Sequence, residues 1–146
     1  MHAPMALTPA GDILANINEM QWLDVGCGTY FKVLRLCEKT GQWVLYVRME
    51  PGARFQPHRH EGWGQFFITK GELIYDVGYA QTGTYGFEPI FAVHHEAGCE
   101  VETEMLFMGE GAVTYFTPDG DIDYVMNVQT LKSVAEGRKQ LDVSPA

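Results

Sequence analysis

The chain has 146 residues and a formal net charge of −9 at pH 7, with a sequence pI near 4.9. A chain this acidic is a poor ligand for nucleic acid or for an anionic membrane surface, so neither is predicted as a partner. Hydrophobic residues make up 46% of the chain, which excludes intrinsic disorder and predicts one domain with its own core.

The three cysteines, Cys27, Cys37 and Cys99, are odd in number and far apart, and no two of them form a CxxC pair. This pattern favours buried thiols in a reducing compartment over a disulfide framework. The first twenty residues lack a basic segment followed by a continuous apolar run, and no stretch approaches the roughly 20 apolar residues that span a bilayer. We therefore expect a cytoplasmic, soluble protein.

In chain order, residues 1–12 are rich in turn residues and are predicted to form a loose N-terminal arm. Residues 13–25 fit either a short strand or an arm packed on a neighbour. A barrel is predicted over residues 28–126, where short β-rich runs are bounded by turn residues. These predicted strands are 31–37, 43–49, 65–69, 72–76, 91–95, 104–108, 112–116 and 122–126. Lys70 and Gly71 are interpreted as the turn of a hairpin.

Only the end of the chain has a helical pattern, predicted over residues 127–138. Asn127 is a suitable cap, and Val128, Leu131 and Val134 share one face before Gly137. Roughly eight to ten short strands followed by one helix predict an all-β fold, either an antiparallel sandwich or a small barrel.

Four of the five histidines stand in two pairs, His58 with His60 and His94 with His95. In an extended segment, residues two apart point to the same face, so His58 and His60 form one half of a metal site. By the same rule, His95 should face away from His94. Two such clusters in an all-β chain favour a metal site over histidines that serve only the core or the surface.

The first histidine pair lies in a known pattern. Gly52-x5-His58-x-His60, followed by Gly71, resembles the first motif of the cupin superfamily, G-x5-H-x-H-x3/4-E-x6-G. The resemblance implies a single-domain cupin, a double-stranded β-helix of the jelly-roll type, with a metal inside the barrel.

The second cupin motif, G-x5-P-x-G-x2-H-x3-N, is matched by Gly83, Pro89 and His94. Phe91 replaces its middle glycine and Gly98 replaces its asparagine. The resemblance implies that His94, rather than His95, joins His58 and His60 as the third metal ligand.

The main departure from the first motif is at its glutamate, whose position is taken by Gly64 or, with one more spacer residue, by Gln65. Neither side chain is an anionic ligand, so we predict a charge-neutral set of three histidines. A divalent metal held in this way keeps its full positive charge, which favours an anionic chelating substrate such as the enolate of a β-diketone. Because bound histidines must be neutral, metal affinity should fall below about pH 6.5.

Within the superfamily, the chain resembles the acetylacetone-cleaving dioxygenases through residues 52–60, 64–71, 85–88 and His94, and more weakly through 107–109. That family splits β-diketones with O2 at an Fe(II) held by three histidines, so the resemblance implies Fe(II). Zn and Ni are the alternative metals for the protein as isolated. Dihydroxyacetophenone dioxygenase-like cupins and anti-sigma cupins share part of the pattern.

Glu88 stands six residues before His94 and is the candidate catalytic residue. A carboxylate near the metal can orient a ligand or accept the enol proton, although a solvated loop glutamate fits the sequence equally well. The candidate walls of a substrate pocket are Phe55, Gln65, Phe87 and Phe107.

The leading prediction is an Fe(II)-dependent dioxygenase whose partners are a small chelating substrate and O2. The alternatives are a cupin dioxygenase for another chelating hydroxyketone and a metal-binding or sensor cupin without turnover. A homodimer or homotetramer is expected, and a supporting role for His95 or Glu96 near the metal is left open.

Overall fold

The computed structural model describes residues 11–137, which form fourteen β-strands, a 3₁₀ turn at Ile17–Glu19 and one α-helix. The largest sheet has six strands. In spatial order these are β1 (Leu23–Gly26), β2 (Thr29–Cys37), β3 (Gln42–Met49), β12 (Thr103–Glu110), β6 (Gly64–Lys70) and β9 (Tyr85–Glu88).

Two four-stranded sheets complete the jelly roll, and every pairing is antiparallel. One consists of β10 (Val93–His94), β5 (His58–His60), β13 (Val113–Phe116) and β14 (Ile122–Met126). The other consists of β4 (Arg54–Phe55), β11 (Ala97–Gly98), β7 (Glu72–Tyr75) and β8 (Gly78–Gln81). The predicted all-β fold with a short C-terminal helix is confirmed.

The core lies between the sheets, and the alternation that produces it is strictest along β3. In β3, every second residue is buried, namely Trp43, Leu45, Val47 and Met49. A strand with one apolar face must bury that face against another sheet, and the alternation gives β3 its register against β2 and β12.

Trp43 is the largest fully buried side chain among the described residues, and it contacts Phe107, whose ring neighbours that of His60. Its Nε1–H donates to the carbonyl of Gly111 at 2.9 Å, and its ring meets Phe107 edge-on at 5.3 Å. A Cβ on Gly109 would lie 2.5 Å from the indole, so glycine is required there for close packing.

The helix α1 (Val128–Ala135) begins as predicted, at the cap residue Asn127. The Asn127 side chain accepts from the Thr130 backbone, and the Thr130 hydroxyl accepts from the Asn127 backbone, which completes a capping box. The apolar face formed by Val128, Leu131 and Val134 is buried. The helix ends before Gly137, whose φ of 73° is left-handed, and residue 138 of the predicted span lies outside the described residues.

The predicted hairpin at Lys70–Gly71 is wrong, because β6 and β7 belong to different sheets. β12 and β9 occupy both edges of β6, while β7 pairs with β11 and β8. Gly71 turns the chain from one sheet to the other with a φ of 76°, and a Cβ there would lie 2.3 Å from the carbonyl oxygen of Glu102. The local turn signal was correct, but it does not specify which strands pair.

Two further differences concern strand extents. Residues 85–88, assigned to no strand from the sequence, form β9, and the strand predicted over 91–95 is reduced to Val93–His94. Phe91 has a φ of 68°, a left-handed conformation that extended structure does not allow.

The N-terminal region packs on its own sheet. β1 pairs with β2, and the indole of Trp22 lies 4.2 Å below the ammonium group of Lys32. Most of the predicted arm, residues 1–10, lies outside the described residues. The helices of the described region include none with the length and apolar character needed to cross a membrane.

Candidate metal centre

Three buried histidines converge inside the barrel. His58 and His60 are on the same face of β5, and His94 on β10 is the direct cross-strand partner of His58. Side chains of directly paired residues share one face of a sheet, so the pairing brings the third imidazole to the other two. The ring centroids are 5.3 Å apart for His58–His60 and for His58–His94, and 5.5 Å apart for His60–His94.

A fourth group, the carboxylate of Glu88, reaches the histidines from the opposite sheet. Its Oε2 lies 2.6 Å from Nε2 of His94 and 3.3 Å from Nε2 of His60. One ligand atom from each of the four residues lies within 4.8 Å of the others. The sequence predicted these three histidines as the ligand set and Glu88 as a nearby acid, and the structure brings all four side chains together.

Gly64 explains how the cluster obtains a carboxylate without the motif glutamate. Gly64 on β6 is the direct partner of Glu88 on β9, so both face the chamber. A Cβ on Gly64 would lie 3.3 Å from Oε1 of Glu88 and 3.3 Å from the His60 ring. The missing side chain at position 64 leaves the space that the Glu88 carboxylate occupies.

His58 is held in one protonation form by the backbone. Its Nδ1 lies 2.8 Å from the carbonyl oxygen of Gln56, which can only accept, so Nδ1 carries the proton. Nε2 then keeps its lone pair, the state required of a metal ligand. Gln56 is itself buried and donates through Nε2 to Asp123 at 2.8 Å, which anchors this segment.

Burial and charge set the protonation of the cluster. Burial raises the pKa of Glu88, but close contacts with His60 and His94 outweigh it and bring the pKa to about 2. Burial lowers the pKa of His58 from 6.5 to about 4, despite the opposing hydrogen bond to Gln56. Glu88 is thus ionised and His58 neutral near pH 7, which is the form of each that binds a metal.

The cluster fits a metal ion. Nδ1 of His94 is buried without a hydrogen-bond partner, although buried polar atoms normally have one. The Nε2 atoms of His60 and His94 lie close to Oε2 of Glu88, but neither contact has the geometry of a hydrogen bond. Three imidazoles and one carboxylate suit Fe, Ni, Zn or Mn. The cluster could therefore hold a divalent metal through His58, His60, His94 and Glu88.

Comparison with known proteins identifies the group to which this architecture belongs. The model of the ChrR cupin-like domain family matches residues 10–114. The chain belongs to this cupin family.

Among curated proteins, this cupin is 26% identical over 101 residues to the acetylacetone-cleaving enzyme of Acinetobacter johnsonii. The match covers 65% of this chain and 66% of that enzyme, so it spans just under two thirds of the relative's length.

Two solved structures show the same fold. A candidate acetylacetone dioxygenase from Methylibium petroleiphilum PM1 superposes with a TM-score of 0.81, at 22% identity, over 88% of this chain and 96% of that one. The acetylacetone dioxygenase of Acinetobacter johnsonii superposes with a TM-score of 0.72, at 22% identity, over 78% and 80%. At this identity, the two neighbours show the cupin fold.

His58 and His60 line a narrow chamber of about 20 Å³ with mostly apolar walls. Two of the four predicted wall residues, Phe55 and Phe107, line it, and the other two do not. Phe87 is 56% exposed, because its neighbour Glu88 takes the inward position on β9. Gln65 pairs with Phe87 on the outer face and accepts a hydrogen bond from the Tyr85 hydroxyl.

Sequence reasoning missed two aromatic residues beside the histidines. The ring centroid of Tyr75 lies 5.0 Å from that of His94, and the Tyr115 ring lies 5.3 Å from that of His58. Both tyrosines line the chamber. Tyr115 is the cross-strand partner of His58, a register that no local sequence signal specifies.

His95 faces away from the cluster, in agreement with strand alternation. Its side chain is 72% exposed, and its Nδ1 lies 3.2 Å from Oδ2 of Asp76. Partial burial raises the pKa of Asp76, but hydrogen bonds from the backbone N–H groups of Glu96 and His95 outweigh it and bring the pKa to about 2. His95 and the exposed Glu96 therefore belong to the outer surface of the barrel.

The metal-free protein is expected to lose about 3 kcal/mol of stability as the pH falls from 6.5 to about 4. In this range unfolded His58 binds a proton and folded His58 does not, so the unfolded state gains protons and is favoured. Below pH 4.5, Glu88 adds to the loss, since its folded pKa is about 2.

The measurement is thermal unfolding of metal-free protein across this pH range. His58→Asn, which removes the titrating group, should flatten the dependence between pH 6.5 and 4. An equally steep dependence in this variant would assign the loss to other groups.

Proposed function

We propose that this cupin is a non-haem Fe(II)-dependent dioxygenase that cleaves a C–C bond of a β-diketone such as acetylacetone. The observation that carries the proposal is the buried cluster of three histidines and Glu88 at the base of an apolar chamber. The similarity to the acetylacetone-cleaving enzyme of Acinetobacter johnsonii supports it.

The charge of the cluster suits an anionic chelator. With His58 neutral and Glu88 ionised, a divalent ion held with the other two imidazoles neutral keeps one positive charge. The enolate of a β-diketone carries one negative charge on two oxygens and would neutralise that charge. When bound, iron supplies the Lewis acidity and the redox capacity that O2 chemistry requires.

Glu88 serves this chemistry by charge and position. A carboxylate with a pKa near 2 is a weak base, so Glu88 is poorly suited to accept the enol proton of the substrate. Its contacts at 2.6 and 3.3 Å hold the imidazoles of His94 and His60 towards a common point. We assign Glu88 as a fourth group facing the metal, which also limits how many positions remain for substrate.

The walls of the chamber exclude water from the chelated substrate. Phe66, Met105, Phe107 and Tyr115 contribute apolar surface next to the histidines. Burial raises the pKa of the Tyr115 hydroxyl, which keeps this group uncharged. An uncharged, dry wall strengthens the attraction between the metal and an enolate.

Iron-loaded protein is expected to consume O2 when acetylacetone is added, and His94→Ala is expected to remove this uptake. The protein is reconstituted with Fe(II) under anaerobic conditions, and oxygen uptake is followed after addition of acetylacetone and air. His95→Ala is the matched control, because this neighbouring side chain is exposed and points away from the cluster. Uptake no greater than that of His94→Ala would overturn the proposed activity.

A metal-binding cupin without turnover is the second candidate, and the match to the ChrR cupin-like family favours it. It predicts stoichiometric metal binding that depends on His94, with no oxygen uptake from acetylacetone. Oxygen uptake with a small chelating hydroxyketone, but not with acetylacetone, would instead indicate a cupin dioxygenase that acts on a different substrate.

A further inference from the structure

A solvent-open cleft of about 340 Å³ lies beside the metal chamber. The cleft and the chamber share two wall residues, Phe55 and Ala97. At Phe55 and Ala97, a single layer of residues separates the solvent-open cleft from the chamber that the histidines face.

The shared wall is built from two very short strands. Phe55 on β4 and Ala97 on β11 are direct cross-strand partners, and Ala97 also pairs with Tyr75 on β7. Directly paired residues share a face, so the three side chains form one row beside the chamber. Each of β4 and β11 has only two residues. Ala97 is 5% exposed, and its methyl group is the smallest side chain of the row, between those of Phe55 and Tyr75.

A second, smaller cavity of about 10 Å³ also adjoins the chamber, but the wall between them consists of larger side chains. That wall consists of three large side chains, those of Phe55, Tyr115 and Met126. Tyr115 and Met126 are buried in the core cluster, so this route requires displacement of core side chains. Of these two shared walls, the one that contains Ala97 therefore has the smaller side-chain bulk.

We propose that this cleft is the entrance to the metal chamber and that Ala97 sets the width of the chelating anion that can pass. The proposal rests on the proposed function only in that the ligand is an anionic chelator. A flat chelator enters between Phe55 and Tyr75 over the Ala97 methyl group. With alanine at position 97, the entrance admits chelating anions that carry narrow substituents. A larger side chain at this position would exclude anions with broad substituents.

The test uses Co(II)-loaded protein, whose visible absorption reports ligands on the metal without turnover. Association rates are measured by stopped flow for two probes, the narrow anion azide and the broad chelating anion nitrocatechol. The variants are Ala97→Leu, which narrows the entrance, and Ala97→Gly, which widens it. The matched control is Val25→Leu, which adds bulk to the second cavity.

Ala97→Leu is expected to slow nitrocatechol association about tenfold or more while azide association is unchanged, because overpacking penalises only the broad probe. Ala97→Gly is expected to accelerate nitrocatechol, and Val25→Leu to leave both rates as in the wild type. Stoichiometric cobalt binding and an unchanged far-UV spectrum confirm that each variant is folded.

Two results would overturn the proposal: wild-type nitrocatechol rates in both Ala97 variants, or slowing by Val25→Leu alone, which would place the entrance at the second cavity. Because neither probe is a diketone and no turnover is measured, the outcome is independent of acetylacetone cleavage. If acetylacetone causes no oxygen uptake but the Ala97 variants still select probes by size, the proposed reaction is rejected and the proposed entrance is supported.

Discussion

Glu88→Gln is expected to weaken binding of a divalent metal about 10- to 100-fold. Glutamine preserves the volume of the side chain but removes the negative charge that lies 2.6 Å from Nε2 of His94. The carboxylate is buried, so solvent cannot replace its attraction for the metal. Affinity is measured by competition with a chelating dye, under anaerobic conditions for Fe(II).

Glu61→Gln is the matched control, because Glu61 follows His60 directly and faces the other side of the sheet. Its carboxylate is bound to Arg59 at 2.8 Å and to the Thr114 hydroxyl at 2.7 Å. Its replacement should leave metal affinity unchanged. Equal affinities for the Glu88 and Glu61 variants would remove Glu88 from the metal centre and restore the set of three neutral histidines.

Trp43→Ala is expected to lower the free energy of unfolding by about 3–5 kcal/mol, the largest effect on stability that we predict. The substitution leaves a cavity at a position that is 1% exposed and removes the donor to the Gly111 carbonyl. It also removes support from Phe107, whose ring centroid lies 6.3 Å from that of His60. Urea unfolding of metal-free protein measures the loss.

Trp22→Ala provides the comparison within the same chain. Trp22 is half-buried on the outer face of the sheet, where its ring lies under Lys32. Loss of this cation–π contact should cost about 1 kcal/mol. Similar losses for the two tryptophans would show that the Trp43 packing contributes far less than its burial implies.

Two of the three clustered histidines, His58 and His60, were accessible from the sequence because their spacing is local. His58 and His60 need only an extended backbone to share a face, and the outward position of His95 follows from the same alternation. The helix was predictable for a similar reason. Its cap at Asn127 and its apolar face depend on residues within two turns of one another.

Glu88 shows where local reasoning stops. Alternation along β9 places Phe87 and Glu88 on opposite faces, yet the sequence does not say which face is inward. The answer comes from the pairing of Glu88 with Gly64. These residues are far apart in the chain, and their contact depends on the register of β6 against β9. The same uncertainty made Phe87 and Gln65 candidate pocket residues, although both lie on the outer face.

The sequence by itself determined the all-β class, the terminal helix, the cupin resemblance and the two histidine pairs, because each rests on periodicity or short spacing. Only the tertiary structure decided that β6 and β7 enter different sheets and that Tyr115 lies beside His58. It also decided that Glu88, for which the sequence left two interpretations open, joins the histidines in the interior. The physical reason is that strand pairing is non-local. Which strand edges meet depends on how the whole chain buries its apolar surface, and a register shift of one residue moves every side chain of a strand to the opposite face.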